Sequence, residues 1–289
     1  MTNTDLLNHT EVSRLIALAL EEDGVANDLT TKASGISSKT HSRATIVAKS
    51  STVAAGYPLI EKILLSANAA GIVKTSCLVN EGTRMSPKTP WIILEGSAET
   101  LLTLERTLLN FLIRMSGIAT YTAAVVEKIK GTECKLLHTR KTAPGHRRTD
   151  VYAALVGGAH AHRLSLSDAI LVKENHLRVT PSFQDLADGI AKLRAEAKFV
   201  EIEVTDFVEL KHALGIKPDR IMLDNFSVAD VEKAVNLFGA SVQFEASGNI
   251  NLMTAYEYAH TGVDFISMGA LTHSAPAADL SMLFDFTHT

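Results

Sequence analysis

From residue 135 onward, one pattern constrains the fold of this 289-residue chain more than any other. Short apolar runs recur, each closing on polar or glycine residues: "KLLHTRK", "AILVKENH", "FVEIEV", "RIMLDN", "VQFEAS" and "DFISMG". Helical periodicity separates most of the later runs, over 182–197, 206–214, 228–238 and 252–260. Such alternation means parallel strands with right-handed crossovers. Strands that end in Lys, Glu, Asp, Ser or Gly suggest a barrel whose carboxyl end holds the chemistry. Six strands are clear, and "GGAHAHRLS" is a candidate seventh. An open doubly wound sheet is the alternative. It is expected to carry a glycine-rich fingerprint after its first strand, and neither GxGxxG nor the phosphate-loop pattern occurs.

The strand ends carry a biased set of charges. Between residues 138 and 176 lie six Lys or Arg, five of the eleven histidines and three carboxylates. Arg140, Lys141, Arg163 and Lys173 supply cations beside His160, His162 and His176, with Arg147 and Arg148 in the Pro- and Gly-interrupted "TRKTAPGHRRTD". Opposite them stand Glu201, Glu203 and Asp224. In a strand, residues two apart face the same way. Val200, Ile202 and Val204 suit the helix-covered outer face, so Glu201 and Glu203 are expected to point inward. Gly248 before "NINLMTAYEYA" suits a phosphate-binding turn at a helix start, and Gly269 before "ALTHS" suits it less well. Cations for a polyanion, facing carboxylates for Mg2+ or developing positive charge, describe sugar-phosphate transfer better than hydrolysis. The bland alternative is a set of satisfied ion pairs.

The first half reads differently. Residues 40–100 suggest short strands, "RATIVAK", "IVKTSCLV" and "PWIILEG", with a helix near 57–70. "EVSRLIALALEEDG" is an amphipathic helix stopped by Gly24 and lacks the basic leader of a signal peptide. A long apolar helical stretch follows from residue 100, which Gly117 is expected to break in two. No apolar run approaches membrane-spanning length, so no membrane partner is expected. Net charge is −4, which argues against a broad nucleic-acid face. Cys77 and Cys134 have no metal-ligand spacing and fit a reducing compartment, the cytoplasm.

Together these motifs resemble the quinolinate phosphoribosyltransferases nearly end to end. "EEDGVANDLTT", "ERTLLNFLIRMSGIAT", "TRKTAPGHR", "GGAHAHRLSLSDAILVKENH", "EIEV", "IMLDN", "FEASGNI" and "ISMGALTHS" follow in the family's order. The resemblance implies an α/β fold: an N-terminal α/β sandwich over 1–113, joined by the chain end 272–289, and an incomplete seven-stranded α/β barrel over 114–271. It implies transfer of phosphoribose from phosphoribosyl pyrophosphate to quinolinate with decarboxylation, in NAD biosynthesis. Mg2+ is implied, with no organic cofactor. It implies that Arg140, Lys141, His162, Arg163 and Lys173 line the quinolinate pocket. Lys141, Lys173, Glu203 and Asp224 are the implied catalytic groups, with Glu203 and Asp224 near the ribose and metal. Ser247, Gly248, Gly269 and His273 match the 5′-phosphate region. A homodimer or larger assembly of dimers is implied, with Arg106 delivered from the neighbouring subunit. Two positions depart from the family pattern: His138 stands where Asp is usual, and Ala161 where Asn is often found.

Three rival readings are distinguishable. A Schiff-base lyase could use Lys173. A metal hydrolase could use the His160–His162 pair. A non-enzymatic sensor would bind anionic metabolites without turnover. Against all three, the ordered motif set favours the transferase.

Overall fold

The structure is a computed structural model describing residues 3–36 and 39–285. The chain divides into two compact units. The first takes the described residues of Met1–Ala123, Thr142–Gly158 and Leu271–Thr289; the second takes Ala124–Lys141 and Ala159–Ala270. In chain order the strands are β1 (His41–Ala48), β2 (Thr52–Val53), β3 (Lys74–Cys77), β4 (Arg84–Met85), β5 (Pro90–Ser97), β6 (Lys135–Leu137), β7 (Ile170–Val172), β8 (Val200–Val204), β9 (Arg220–Asp224), β10 (Gln243–Ser247), β11 (Phe265–Ser267) and β12 (Leu280–Phe284).

The first unit is built on an antiparallel sheet of order β12-β1-β5-β3. In β1, Ala44, Ile46 and Ala48 are buried while the residues between them are not, the alternation of a sheet with one covered face. The helix Thr10–Glu22 buries Val12, Ile16 and Leu20, and Gly24 beyond it adopts φ 65°.

The helix Ala98–Lys128 corrects one expectation. It runs unbroken for 31 residues through Gly117. That glycine is needed for close approach: a Cβ there would lie 2.3 Å from the Pro276 carbonyl oxygen. This is also the one helix among the described residues long and apolar enough to cross a membrane. Glu105, Arg106 and Arg114 interrupt it, and 56% of its most apolar window is buried, as in a core helix. From it Arg114 grips the fully buried Asp150 through Nε and Nη2, both at 2.7 Å.

The second unit holds a parallel sheet of order β6-β11-β10-β9-β8-β7. All residues of β8 are buried, because both faces of a parallel sheet are covered. On the free side of β6, His160 makes a single parallel bridge to Leu137. The "GGAHAHRLS" segment thus adds one bridging residue to six hydrogen-bonded strands. Among the described residues no ladder joins this segment to β7, so the barrel is incomplete.

Candidate active site

One cavity of about 270 Å³ is lined from strands β7 to β11, from the residues His138 to Lys141 that follow β6, and from the bridging segment. A flat sheet cannot do this; the sheet is curled so that inward residues of β7 to β11 share an interior. That interior is layered. At the start of the strands, the Arg220 guanidinium lies 4.7 Å from the Phe199 ring centroid and 4.2 Å from that of Phe265. Above it, His162 Nε2 faces Glu201 Oε2 at 3.1 Å and Glu245 Oε2 at 3.3 Å. At the strand ends come the cavity walls: Arg140, Lys141, Arg163 and Lys173 facing Glu203 and Asp224.

The middle layer is a buried charge cluster. Glu201 and Glu245 have no solvent exposure. Burial opposes charge on His162, but hydrogen bonds to Glu201 and Glu245 outweigh it and lift its pKa to about 9. Burial and then the Glu245 charge raise Glu201 to about 7. Arg163 N–H donates to His162 Nδ1 at 2.7 Å, so a fully charged ring would lose that bond. The cluster titrates as one unit, its protons spread over the ring and the two carboxylates. Both ring nitrogens are engaged within the protein. The His162, Glu201 and Glu245 ligand atoms lie within 4.8 Å of one another, a spacing a metal ion could use through Nε2.

The rim is electropositive. Arg163 is 7% exposed, and burial followed by the neighbouring Arg140 charge pushes its pKa down. Arg140 Nε is buried with no hydrogen-bond partner among the described residues. Two guanidiniums that repel each other, one with an unused buried donor, are chemically suited to an anion. Lys173 Nζ sits 2.5 Å from Glu203 Oε2, which fixes one carboxylate at the mouth. Asp224, at the end of β9, is half-buried.

Residues 118–283 match the quinolinate phosphoribosyl transferase C-terminal domain, and residues 28–116 match the N-terminal domain of the same family. This chain belongs to the quinolinate phosphoribosyltransferase family. It is 40% identical over 209 residues to the nicotinate-nucleotide pyrophosphorylase (carboxylating) of Mycobacterium leprae, covering 71% of this chain and 72% of the relative. It is 35% identical to quinolinate phosphoribosyltransferase (decarboxylating) 1b of Nicotiana tabacum, covering 95% and 83%. The structure of the nicotinate-nucleotide pyrophosphorylase from Francisella tularensis superposes with a TM-score of 0.87 at 33% identity, covering 99% of this chain and 98% of that one.

Within this family member, the cavity brings together Arg140, Lys141, His162, Arg163, Lys173, Glu203, Asp224 and Ser247, all selected from sequence. Both Glu201 and Glu203 face inward, as the alternation requires; Glu203 lines the cavity, while Glu201 lies beneath it on His162. Arg106 and His273 belong to the first unit and are exposed, with His273 Nδ1 2.6 Å from Ser274 Oγ. Arg147 and Arg148 also fall in the first unit, where Arg147 Nε donates to Thr142 Oγ1 and Arg148 Nε to Glu11 Oε2.

The helix expected over 252–260, beyond Gly248, is the short Ala255–Ala259, whereas Gly269 immediately precedes the short helix Ala270–His273. Gly248 has φ 89°, and its neighbour in space is Asn225. Sequence reasoning passed over Glu245 and Ser267. The signal for Glu245 was present: it lies two residues before Ser247 on β10, hence on the same inward face. Of the two departures from the family pattern, His138 is buried and its Nε2 accepts the His162 backbone N–H at 3.1 Å, while Ala161 is exposed.

Proposed function

We propose that this chain transfers phosphoribose from phosphoribosyl pyrophosphate to the ring nitrogen of quinolinate, releasing pyrophosphate and CO2 and forming nicotinate mononucleotide. The observation that carries the proposal is the cavity wall, where Arg140, Lys141, Arg163 and Lys173 face Glu203 and Asp224. Its supports are the family membership and the unused Arg140 donor.

Quinolinate carries two carboxylates, and guanidinium groups grip such groups through paired hydrogen bonds. As pyrophosphate departs, positive charge develops on the anomeric carbon, and Glu203 and Asp224 lie on the wall where they can stabilise it. Their oxygens also suit a hard cation shared with substrate phosphates, so Glu203 and Asp224 would hold Mg2+. When bound, Mg2+ neutralises charge on the departing pyrophosphate. Once the ring nitrogen is alkylated, the C2–carboxylate bond breaks. Its electron pair stays on C2 beside the pyridinium, CO2 leaves, and C2 takes up a proton. Ser247, Gly248 and Gly269 are the proposed 5′-phosphate contacts.

The reading extends to a homodimer or an assembly of dimers, with Arg106 completing the site of a second copy. Arg106 is exposed and has no hydrogen-bonding or ionic partner among the described residues. The two compact units are the proposed functional domains. A cytoplasmic location is proposed on the free thiols Cys77 and Cys134. The test is to incubate pure protein with quinolinate, phosphoribosyl pyrophosphate and Mg2+. Nicotinate mononucleotide and CO2 in equal amounts are expected; binding of both substrates without product would overturn the proposal in favour of a sensor.

A further inference from the structure

Asp224 ends β9, and the next residue leaves the strand in an unusual conformation. Asn225 has φ 58°, and Asn249, after β10, has φ 54°. Both lie in the left-handed region, where Asn is among the few tolerated side chains. Asn225 Nδ2 donates to Asp224 Oδ2 at 2.8 Å, and Asn249 Nδ2 donates to Asn225 Oδ1 at 3.0 Å. The direction of this chain of bonds is forced. An ionised carboxylate only accepts, so Asn225 must turn its NH2 to Asp224. Its carbonyl then faces Asn249, which must donate.

The backbone is arranged around the same contact. Ser247 pairs with Asp224 across the β9–β10 ladder, and Asn225 N–H donates to Ser247 O at 2.8 Å. A Cβ on Gly248 would lie 2.3 Å from Asn225 Oδ1 and 2.8 Å from Asn225 N. Gly248 is therefore required for Asn225 to sit where it does. Asp224 Oδ1 has no hydrogen-bond partner among the described residues.

We propose that Asn225 and Asn249 are positioning residues, a two-step hydrogen-bond relay that pins Asp224 Oδ2 and presents Oδ1 to the pentose or its divalent cation. This rests on the phosphoribosyl-transfer reading above. A carboxylate free to rotate about its last torsion is correctly aimed only part of the time, and the relay removes that freedom. The relay is exposed to solvent, so water competes for the same bonds and the expected effect is moderate.

Glycine accepts the left-handed backbone without strain and deletes the amide, so Asn225→Gly and Asn249→Gly isolate the relay from the turn. Asn225→Asp keeps the shape but replaces the donor by a second acceptor. Isothermal titration with phosphoribosyl pyrophosphate and Mg2+, without quinolinate, and steady-state kinetics are measured on each variant. Asn225→Gly is expected to weaken donor binding and kcat/KM for phosphoribosyl pyrophosphate by about tenfold. Asn225→Asp is expected to lose more, because two carboxylates then face each other. Asn249→Gly should lose less, and the double glycine variant should match Asn225→Gly alone. Quinolinate affinity should be unchanged throughout. Wild-type values in Asn225→Gly and Asn225→Asp would overturn the relay, as would full additivity in the double variant. Failure of the wild-type protein to bind phosphoribosyl pyrophosphate would instead remove the transferase reading on which the relay rests.

Discussion

Lys173 Nζ, just past β7, lies 2.5 Å from Oε2 of Glu203 on the adjacent strand β8. The lysine side chain is 47% exposed and the glutamate 10%, so the pair closes the cavity wall with its cation towards solvent. Lys173→Met keeps the length of the side chain and deletes its charge. We expect kcat/KM for quinolinate to fall on the order of 10²-fold while the circular dichroism spectrum stays that of the wild type. Wild-type kinetics in a folded variant would remove Lys173 from the site.

The buried His162–Glu201–Glu245 cluster should make stability depend on pH. Glu201 is raised from its ordinary value of 4.5 to about 7, and His162 from 6.5 to about 9. Groups raised on folding bind protons more tightly in the folded state, so their stabilisation is full below the unfolded value and is lost as pH rises through the folded one. Wild-type Tm should therefore decline between about pH 5 and pH 9. Glu245 is lowered despite its burial, chiefly by its hydrogen bond to His162, and acts on the acid side only: its contribution is lost as pH falls through its folded value. Glu201→Gln removes one titrating group and should flatten the decline between pH 5 and 7. Parallel Tm curves for the two proteins would contradict this.

Gly117→Ala places a methyl group 2.3 Å from the Pro276 carbonyl oxygen, which is backbone and cannot rotate away. Overpacking of this kind costs about 1–3 kcal/mol. Urea denaturation should show a lower midpoint with the slope unchanged. A more stable variant, as expected for Ala replacing Gly in a helix without a steric neighbour, would show that the segment near Pro276 moves aside.

If Arg106 acts in a second copy, two inactive variants should complement each other. Arg106→Ala and Lys141→Ala proteins are mixed under subunit exchange. Each mixed dimer regains one intact site and about half the activity of a wild-type dimer, provided the sites act independently. No recovery, with exchange verified by native mass spectrometry, would place the action of Arg106 within its own chain or outside catalysis.

Much of this protein was legible in the chain because periodicity and burial are local properties. The alternation "VEIEV" already assigns Glu201 and Glu203 to the inner face, and β8 is buried throughout as its apolar outer residues require. The cations of "HTRK" and "AHRLS" fall at strand ends, and the strand ends share one cavity. Sequence could not divide the work among these residues. Glu201 and Glu203 lie two residues apart on one strand, yet one is locked under the cavity by His162 and the other meets Lys173 at its mouth. Nor could it show that Gly117 serves a close contact with Pro276 instead of a helix break, or that Gly248 makes room for Asn225. Spacing along a chain specifies which face a side chain occupies; which partner it meets there depends on residues distant in sequence, and only the packed structure brings them within hydrogen-bonding range.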